Sequence, residues 1–302
     1  MKERKYLLSS QKWLEKTWRT LSEKGRAHQP LYGFLHRHLY TPGTTERYVV
    51  TYRLVKVLSS LRFRSLLDVG GGEGYRAGLI RKIFGTKRVV VADLSLEACR
   101  RARKFFSLPC VVMEAHSLPF KSESFDIVLS TETLEHIMEP ESVVREMVRV
   151  ARKAVVVVVN RKPSSLVRKY PKKFPYDVSS FDRKSFGFLE KEGYHLLSLG
   201  MVSPLTRFLG LLLDAQPRRH SRFWSFPPFL TSLYNRLCPF LRRMGREDFL
   251  YPILWLDPFF TRLMGYRTIL FLLLKKGKRG EEKKFHPSIV TGFKLEREDA
   301  SP

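Results

Sequence analysis

The stretch Leu66-Leu67-Asp68-Val69-Gly70-Gly71-Gly72-Glu73-Gly74 constrains this chain more than any other. It reads as a short buried strand, an acidic residue, and glycines at alternate positions, followed by a helix-compatible run from Tyr75 to Phe84. Strand, glycine turn and helix together are how an α/β sheet builds a nucleotide site. Glycine has no Cβ, so the backbone there can turn sharply and approach a ligand closely. A phosphate-rich ligand fits poorly, because Asp68 would repel it and no GxxxxGK[ST] run is present. Gly72-x-Gly74-x-x-Ala77 meets the GxGxxA dinucleotide pattern only weakly, since Asp68 and a second acid further on favour a nucleoside without pyrophosphate.

The segments around it repeat one alternation. Strands are predicted at Ser65–Val69, Val89–Asp93, Cys110–Met113, Phe125–Leu129 and Val155–Val159. Helices are predicted at Tyr75–Phe84, Leu96–Phe106 and Glu141–Val150. A basic, proline-containing loop follows over 161–178, then a helix Asp182–Glu192, a sixth strand Tyr194–Leu199 and a last strand Thr268–Leu274. Apolar runs alternating with amphipathic helices mean a parallel sheet covered on both faces. The expected fold is α/β, a Rossmann-like, doubly wound, mostly parallel seven-stranded sheet. An N-terminal helical cap precedes it, and a helical insert precedes the last strand. The expected domains are the cap at 1–64, a core at 65–203, an insert at 204–266, the last strand at 267–276 and a disordered basic tail at 277–302. In the cap, Trp13, Leu14, Trp18 and Leu21 recur at helical spacing, and a second helix is predicted over Thr45–Leu61.

Three acids stand at predicted strand ends: Asp68, Asp93 and Glu114. Ligands of such sheets bind outside the carboxyl ends of the strands. Asp93, 19 residues after Gly74, suits a carboxylate accepting from both ribose hydroxyls. Glu114 is placed to accept from an adenine amine, and Asp68 to meet a cationic part of the ligand.

These residues resemble the class I S-adenosylmethionine-dependent methyltransferases, in particular the broad small-molecule group called type 11. The Asp-x-Gly-x-Gly-x-Gly motif stands as Asp68, Gly70, Gly72 and Gly74, and the ribose-binding acid as Asp93 before Leu94. The Asp-Ala-x-x-Leu-Pro-Phe segment stands as Glu114-Ala115-His116-Ser117-Leu118-Pro119-Phe120, with Glu replacing Asp. Ser124 to Ile137 is similar to the family's fourth strand and its exit. The resemblance covers about residues 45–200 and the last strand. It implies S-adenosyl-L-methionine as methyl donor, held by Asp68, Gly70, Gly71, Gly72, Gly74, Asp93, Leu94, Glu114, Ala115 and Thr131. The usual Lys-Pro-Gly-Gly turn before strand five is replaced by Ala151-Arg152-Lys153-Ala154.

Methyl transfer needs alignment and exclusion of water, and a base only when the acceptor carries a proton to be lost. His136, just past strand four, is the candidate base. Glu132, Glu135 and His136 resemble a metal cluster of some relatives, but no divalent metal is expected. His116 is read as a surface residue. Asp257-Pro258-Phe259-Phe260 superficially resembles an amino-methylation motif but lies in the wrong part of the chain.

Composition enters when partners are considered. The net charge of +26 attracts nucleic acid, an anionic membrane surface or acidic substrates without choosing among them. The segment 204–266 holds 13 Phe, Trp and Tyr residues and is arginine-rich without a lysine. Its aromatics cluster with leucines, which suits a lid or lipid contact better than a nucleic-acid groove. The expected acceptor is a hydrophobic small molecule, such as a quinone precursor, isoprenoid or lipid. The alternatives are an RNA methyltransferase or a non-catalytic binding protein on the same fold. No run is long and apolar enough for a spanning helix. The three cysteines lack CxxC spacing, which argues against zinc or a disulfide framework. A cytoplasmic protein, peripheral to the membrane, is expected.

Overall fold

The sheet is the seven-stranded one the sequence predicts, its strands, counted along the chain, lying in the order 3-2-1-4-5-7-6. In the computed structural model, residues 2–23, 44–161, 178–213 and 247–275 are described. The middle of the predicted insert, most of the 161–178 loop and the predicted tail lie outside them. The elements in chain order are α1 (Lys2–Glu23), α2 (Thr44–Ser59), β1 (Ser65–Val69), α3 (Tyr75–Phe84), β2 (Arg88–Asp93), α4 (Leu96–Phe106), β3 (Cys110–Val112) and β4 (Phe125–Thr131). A 3-10 turn (Leu134–His136) and α5 (Pro140–Val150) follow, then β5 (Ala151–Asn160), α6 (Phe188–Lys191), β6 (Tyr194–Met201), α7 (Pro204–Leu213), α8 (Glu247–Met264) and β7 (Thr268–Lys275).

β1 pairs in parallel with β2 and β4, β2 with β3, and β4 with β5, while β7 runs antiparallel to β5. β1 and β4 are buried along their whole length, as expected of strands covered on both faces. The strand order reverses between β1 and β4, and a crevice opens at such a point, at the carboxyl ends of the strands.

Two expectations are corrected. The helix predicted over Asp182–Glu192 shrinks to Phe188–Lys191. The Asp182 carboxylate accepts from the Lys184 amide and the Ser185 hydroxyl, a local turn that competes with helix. The cysteines were expected to stay unpaired, yet Cys99 and Cys110 form a disulfide, with Cα atoms 5.2 Å apart. Ser107, in the left-handed conformation, ends α4, and the chain folds back so that β3 begins beside the helix.

The chain divides into two compact units. Among the described residues, one comprises 2–23, 57–161, 178–199 and 267–275, the other 44–56, 200–213 and 247–266. α1 lies in the first unit, and α2 in the second as far as Lys56. In the second unit, Arg53 of α2 donates to the Leu254 carbonyl of α8 at 2.6 Å. Asp257 of α8 accepts from the amides of Val202 and Ser203 and from the Thr206 hydroxyl.

Candidate functional site

In the first unit, β1 ends at Val69 and the glycine loop begins. Gly70 has φ +72°, and a Cβ there would fall inside the Thr133 side chain, so the loop and the exit of β4 close on each other only with glycine present. Gly74, at φ +78°, precedes α3. A Cβ on Gly72 would stand 3.1 Å from the Trp18 ring of α1. The loop is also tied to β2: the Asp93 carboxylate accepts from the Gly72 amide at 2.8 Å and the Ser95 amide at 2.9 Å.

These ends surround a cavity of about 630 Å³, within the usual range for small-molecule sites. Its floor includes Asp68, Gly70, Gly71, Gly72, Asp93, Leu94, Glu114, Ala115 and Thr131, from the ends of four adjacent strands. Of the residues expected to hold the cofactor, Gly74 alone does not line it. His136 lines it too, its carbonyl accepting from the Tyr6 hydroxyl at 3.1 Å.

α1 supplies a wall that the sequence did not locate. Tyr6, Leu7, Trp13, Leu14 and Trp18 face the cavity. Glu15 anchors the helix, its carboxylate accepting from the Leu96 amide at 2.5 Å and the Glu97 amide at 3.3 Å, at the N-terminus of α4 where donors are free. Trp18 also stacks near Arg101, 5.7 Å from guanidinium carbon to ring centre, and Arg101 forms a buried ion pair with Glu73 at 2.8 Å.

The lining is rich in acid: Asp68, Glu73, Asp93, Glu114, Glu132 and Glu139, against Arg4, Arg76, His116 and His136. Most of these acids are engaged. Glu132 takes Arg76 at 2.7 Å, and Arg76 also donates to the Thr131 hydroxyl at 2.9 Å. His116, expected at the surface, is half-buried in the lining, with Nδ1 against Glu114 and Nε2 2.8 Å from the Met138 carbonyl. The chain reverses after β3, which turns the ring inward.

Asp68 differs. It is 0% exposed and neither carboxylate oxygen has a hydrogen-bond partner. Burial pushes its carboxyl up to about 7, Arg76 opposes the rise and Asp93 adds to it. Burial also raises Asp93, opposed by the amides of Ser95 and Gly72. A buried unpaired carboxylate costs free energy that a cationic ligand can recover. Such a site fits a ligand with an ammonium and a sulfonium.

Among the described residues, no group of three His, Cys, Asp or Glu side chains is arranged to hold a metal ion. Glu132 is paired with Arg76, and Glu135 accepts from the Asn160 amide at 3.1 Å. Asp257 and Phe259, dismissed as a motif from sequence, sit in α8 of the other unit.

A doubly wound sheet with this strand order, a glycine loop after β1 and acids ending β1 and β2 defines the class I S-adenosylmethionine-dependent methyltransferase fold. Over part of its length the chain is similar to that family: residues 67–159 match the family described as a methyltransferase domain. The malonyl-[acyl-carrier protein] O-methyltransferase of Halorhodospira halophila is 32% identical over 184 residues, which are 57% of this chain and 61% of that protein. The norajmaline N-methyltransferase of Rauvolfia serpentina is 28% identical over 146 residues, 41% of this chain and 49% of that protein. The chain thus spans 61% of the length of the first of these relatives and 49% of the second. Among solved structures, a chain of the Haloferax volcanii complex between the Trm112 methyltransferase activator and a methyltransferase shares the fold at TM-score 0.55. It is 15% identical, with 87% of this chain and 98% of that one covered. The [4+2]-cyclase SpnF does so at TM-score 0.52 and 16% identity, over 89% and 96%. S-adenosylmethionine is the methyl donor of the family.

Proposed function

We propose that this protein transfers a methyl group to a hydrophobic small-molecule acceptor. The observation that carries the reading is Asp68, a buried carboxylate without a partner on the glycine loop of an acid-lined cavity. The bound cofactor supplies a methyl already activated by a sulfonium. The chain supplies the rest. Asp68 meets the cationic end of the ligand. Gly70, Gly71, Gly72 and Gly74 let the backbone approach it, and Asp93 and Leu94 hold the ribose side. Glu114, Ala115 and Thr131 complete the lining. α1 excludes water and presents Leu7, Trp13 and Leu14 opposite Ile137 and Met138, apolar surface for an acceptor. His136 takes the acceptor's proton where one must leave, which contributes about 10²–10⁴-fold.

The named relatives methylate nitrogen in one case and oxygen in the other, in keeping with a small-molecule acceptor. The RNA alternative rests on net charge, and the acid-lined cavity disfavours phosphate. On this reading the protein works in the cytoplasm, where apolar acceptors are met at a membrane surface.

Calorimetric titration with S-adenosylmethionine, followed by measurement of S-adenosylhomocysteine formed with detergent-dispersed apolar alcohols, amines and carboxylic acids, tests the reading. Binding with turnover on an apolar acceptor supports it. No binding removes the cofactor site, and binding with turnover on RNA alone removes the acceptor class.

A further inference from the structure

Helix α8 turns an apolar stripe to its exposed side, against what water demands of a surface helix. At about 100° per residue, Trp255, Leu256, Phe259 and Leu263 fall within an arc of about 100°. All four are exposed, Trp255 at 81%, Phe259 at 62% and Leu263 at 69%. The opposite side is buried and carries Asp257, 1% exposed and bonded as described above, and Thr261, beside Ile253 and Leu254. Phe208 of α7 is 56% exposed as well. Single exposed apolar residues are ordinary, but a contiguous aromatic stripe over buried polar groups marks a contact surface.

We propose that this face lies in the headgroup region of an anionic lipid bilayer, with Trp255, Phe259 and Leu263 entering the acyl boundary. Interfacial helices carry Trp, Phe and Leu on one face and basic residues at its margin, and Trp favours the headgroup level. Arg262, exposed, borders the stripe next to Trp255 on the helical wheel, and Arg207 of α7 is exposed too. The segment 204–266 has nine arginines against four acids, and the whole chain carries +26. That charge attracts an anionic leaflet and repels a second copy of the chain. Among the described residues no helix is long and apolar enough to cross a membrane, so the contact is in the plane. The inference rests on the exposed face of α8 and not on the methyl-transfer reading, so the two fail separately.

The test is flotation of the full chain with vesicles of phosphatidylcholine alone and of phosphatidylcholine mixed equally with phosphatidylglycerol. A variant carrying Trp255→Ser, Phe259→Ser and Leu263→Ser is run beside it. The native chain is expected to float with the anionic vesicles. The variant should lose at least about tenfold in vesicle affinity, a change of about 1.4 kcal/mol, with its thermal unfolding unchanged. Quenching of tryptophan emission by brominated lipid, weaker in Trp255→Phe than in the native chain, supports the same contact even if the triple variant unfolds. Failure of the native chain to float overturns the proposal. So does a folded variant that floats equally well. Concentration-dependent self-association abolished by the variant, without vesicle binding, assigns the face to a second copy and overturns it as well.

Discussion

Replacing Asp68 by asparagine should make the ligand-free protein more stable and the cofactor site worse. The side chain keeps its shape and loses its charge. In the native chain, burial raises this carboxyl from 3.8 to about 7. The folded state therefore binds its proton more tightly than the unfolded chain does, and stability falls as pH rises from about 4 to about 7, then levels off. Three pK units at 1.36 kcal/mol each put the full swing at about 4 kcal/mol. Asparagine still buries polar atoms, so above pH 7 the expected gain is smaller, about 1–3 kcal/mol, or several degrees in Tm. Below about pH 4 the two proteins should melt alike. A hydrogen bond to a charged group contributes about 1.5–3 kcal/mol, so S-adenosylmethionine affinity should fall roughly ten- to hundredfold. The assay is thermal unfolding across the pH range with and without S-adenosylmethionine, paired with calorimetry. If the variant melts lower than the native chain above pH 7 and binds the cofactor as tightly, Asp68 is neither an unpaired buried charge nor a ligand contact.

Asp93→Ala removes the acceptor of the Gly72 and Ser95 amides and, on the proposed reading, the carboxylate on the ribose side. It should weaken cofactor binding and cost about 1–3 kcal/mol in denaturant unfolding; equal stability would mean the loop holds itself. Glu73→Ala removes the buried carboxylate that Arg101 bonds at 2.8 Å, with an expected loss of about 3–5 kcal/mol in the same measurement. His136→Gln should lower turnover by about 10²–10⁴-fold with cofactor affinity unchanged, and an unaffected kcat would remove it as the base.

What the sequence made legible was whatever one segment decides alone. The bounds of the first strand, of the helix after the glycine loop and of Leu96–Phe106 coincide with β1, α3 and α4, because apolar period, glycine turns and the Ser95 cap act within a few residues. The acids at the ends of β1 and β2 were legible for the same reason. What was hidden depends on how distant segments meet. Periodicity shows that α1 has an apolar face but not that Trp18 packs over Gly72. The Arg76–Glu132 pair joins residues 56 apart, and the inward turn of His116 follows from the Met138 carbonyl, 22 residues away. No local pattern encodes either.

The charge of the chain and the charge of its cavity point in opposite directions, and the opposition has a physical consequence. On the proposed reading, buried Asp68 in a chain of net +26 gathers a cation that the exterior repels. Because exterior repulsion is long-range and screened by salt, while Asp68 acts at contact in a buried site, the two respond differently to ionic strength. Raising salt should therefore leave S-adenosylmethionine affinity nearly constant or slightly improved, while any attachment of the arginine-rich face to anionic surfaces weakens steeply. Titrations of cofactor and of vesicles across the same salt series would show the two curves diverging; a parallel fall would mean that one diffuse electrostatic field governs both, and that Asp68 holds no cation of its own.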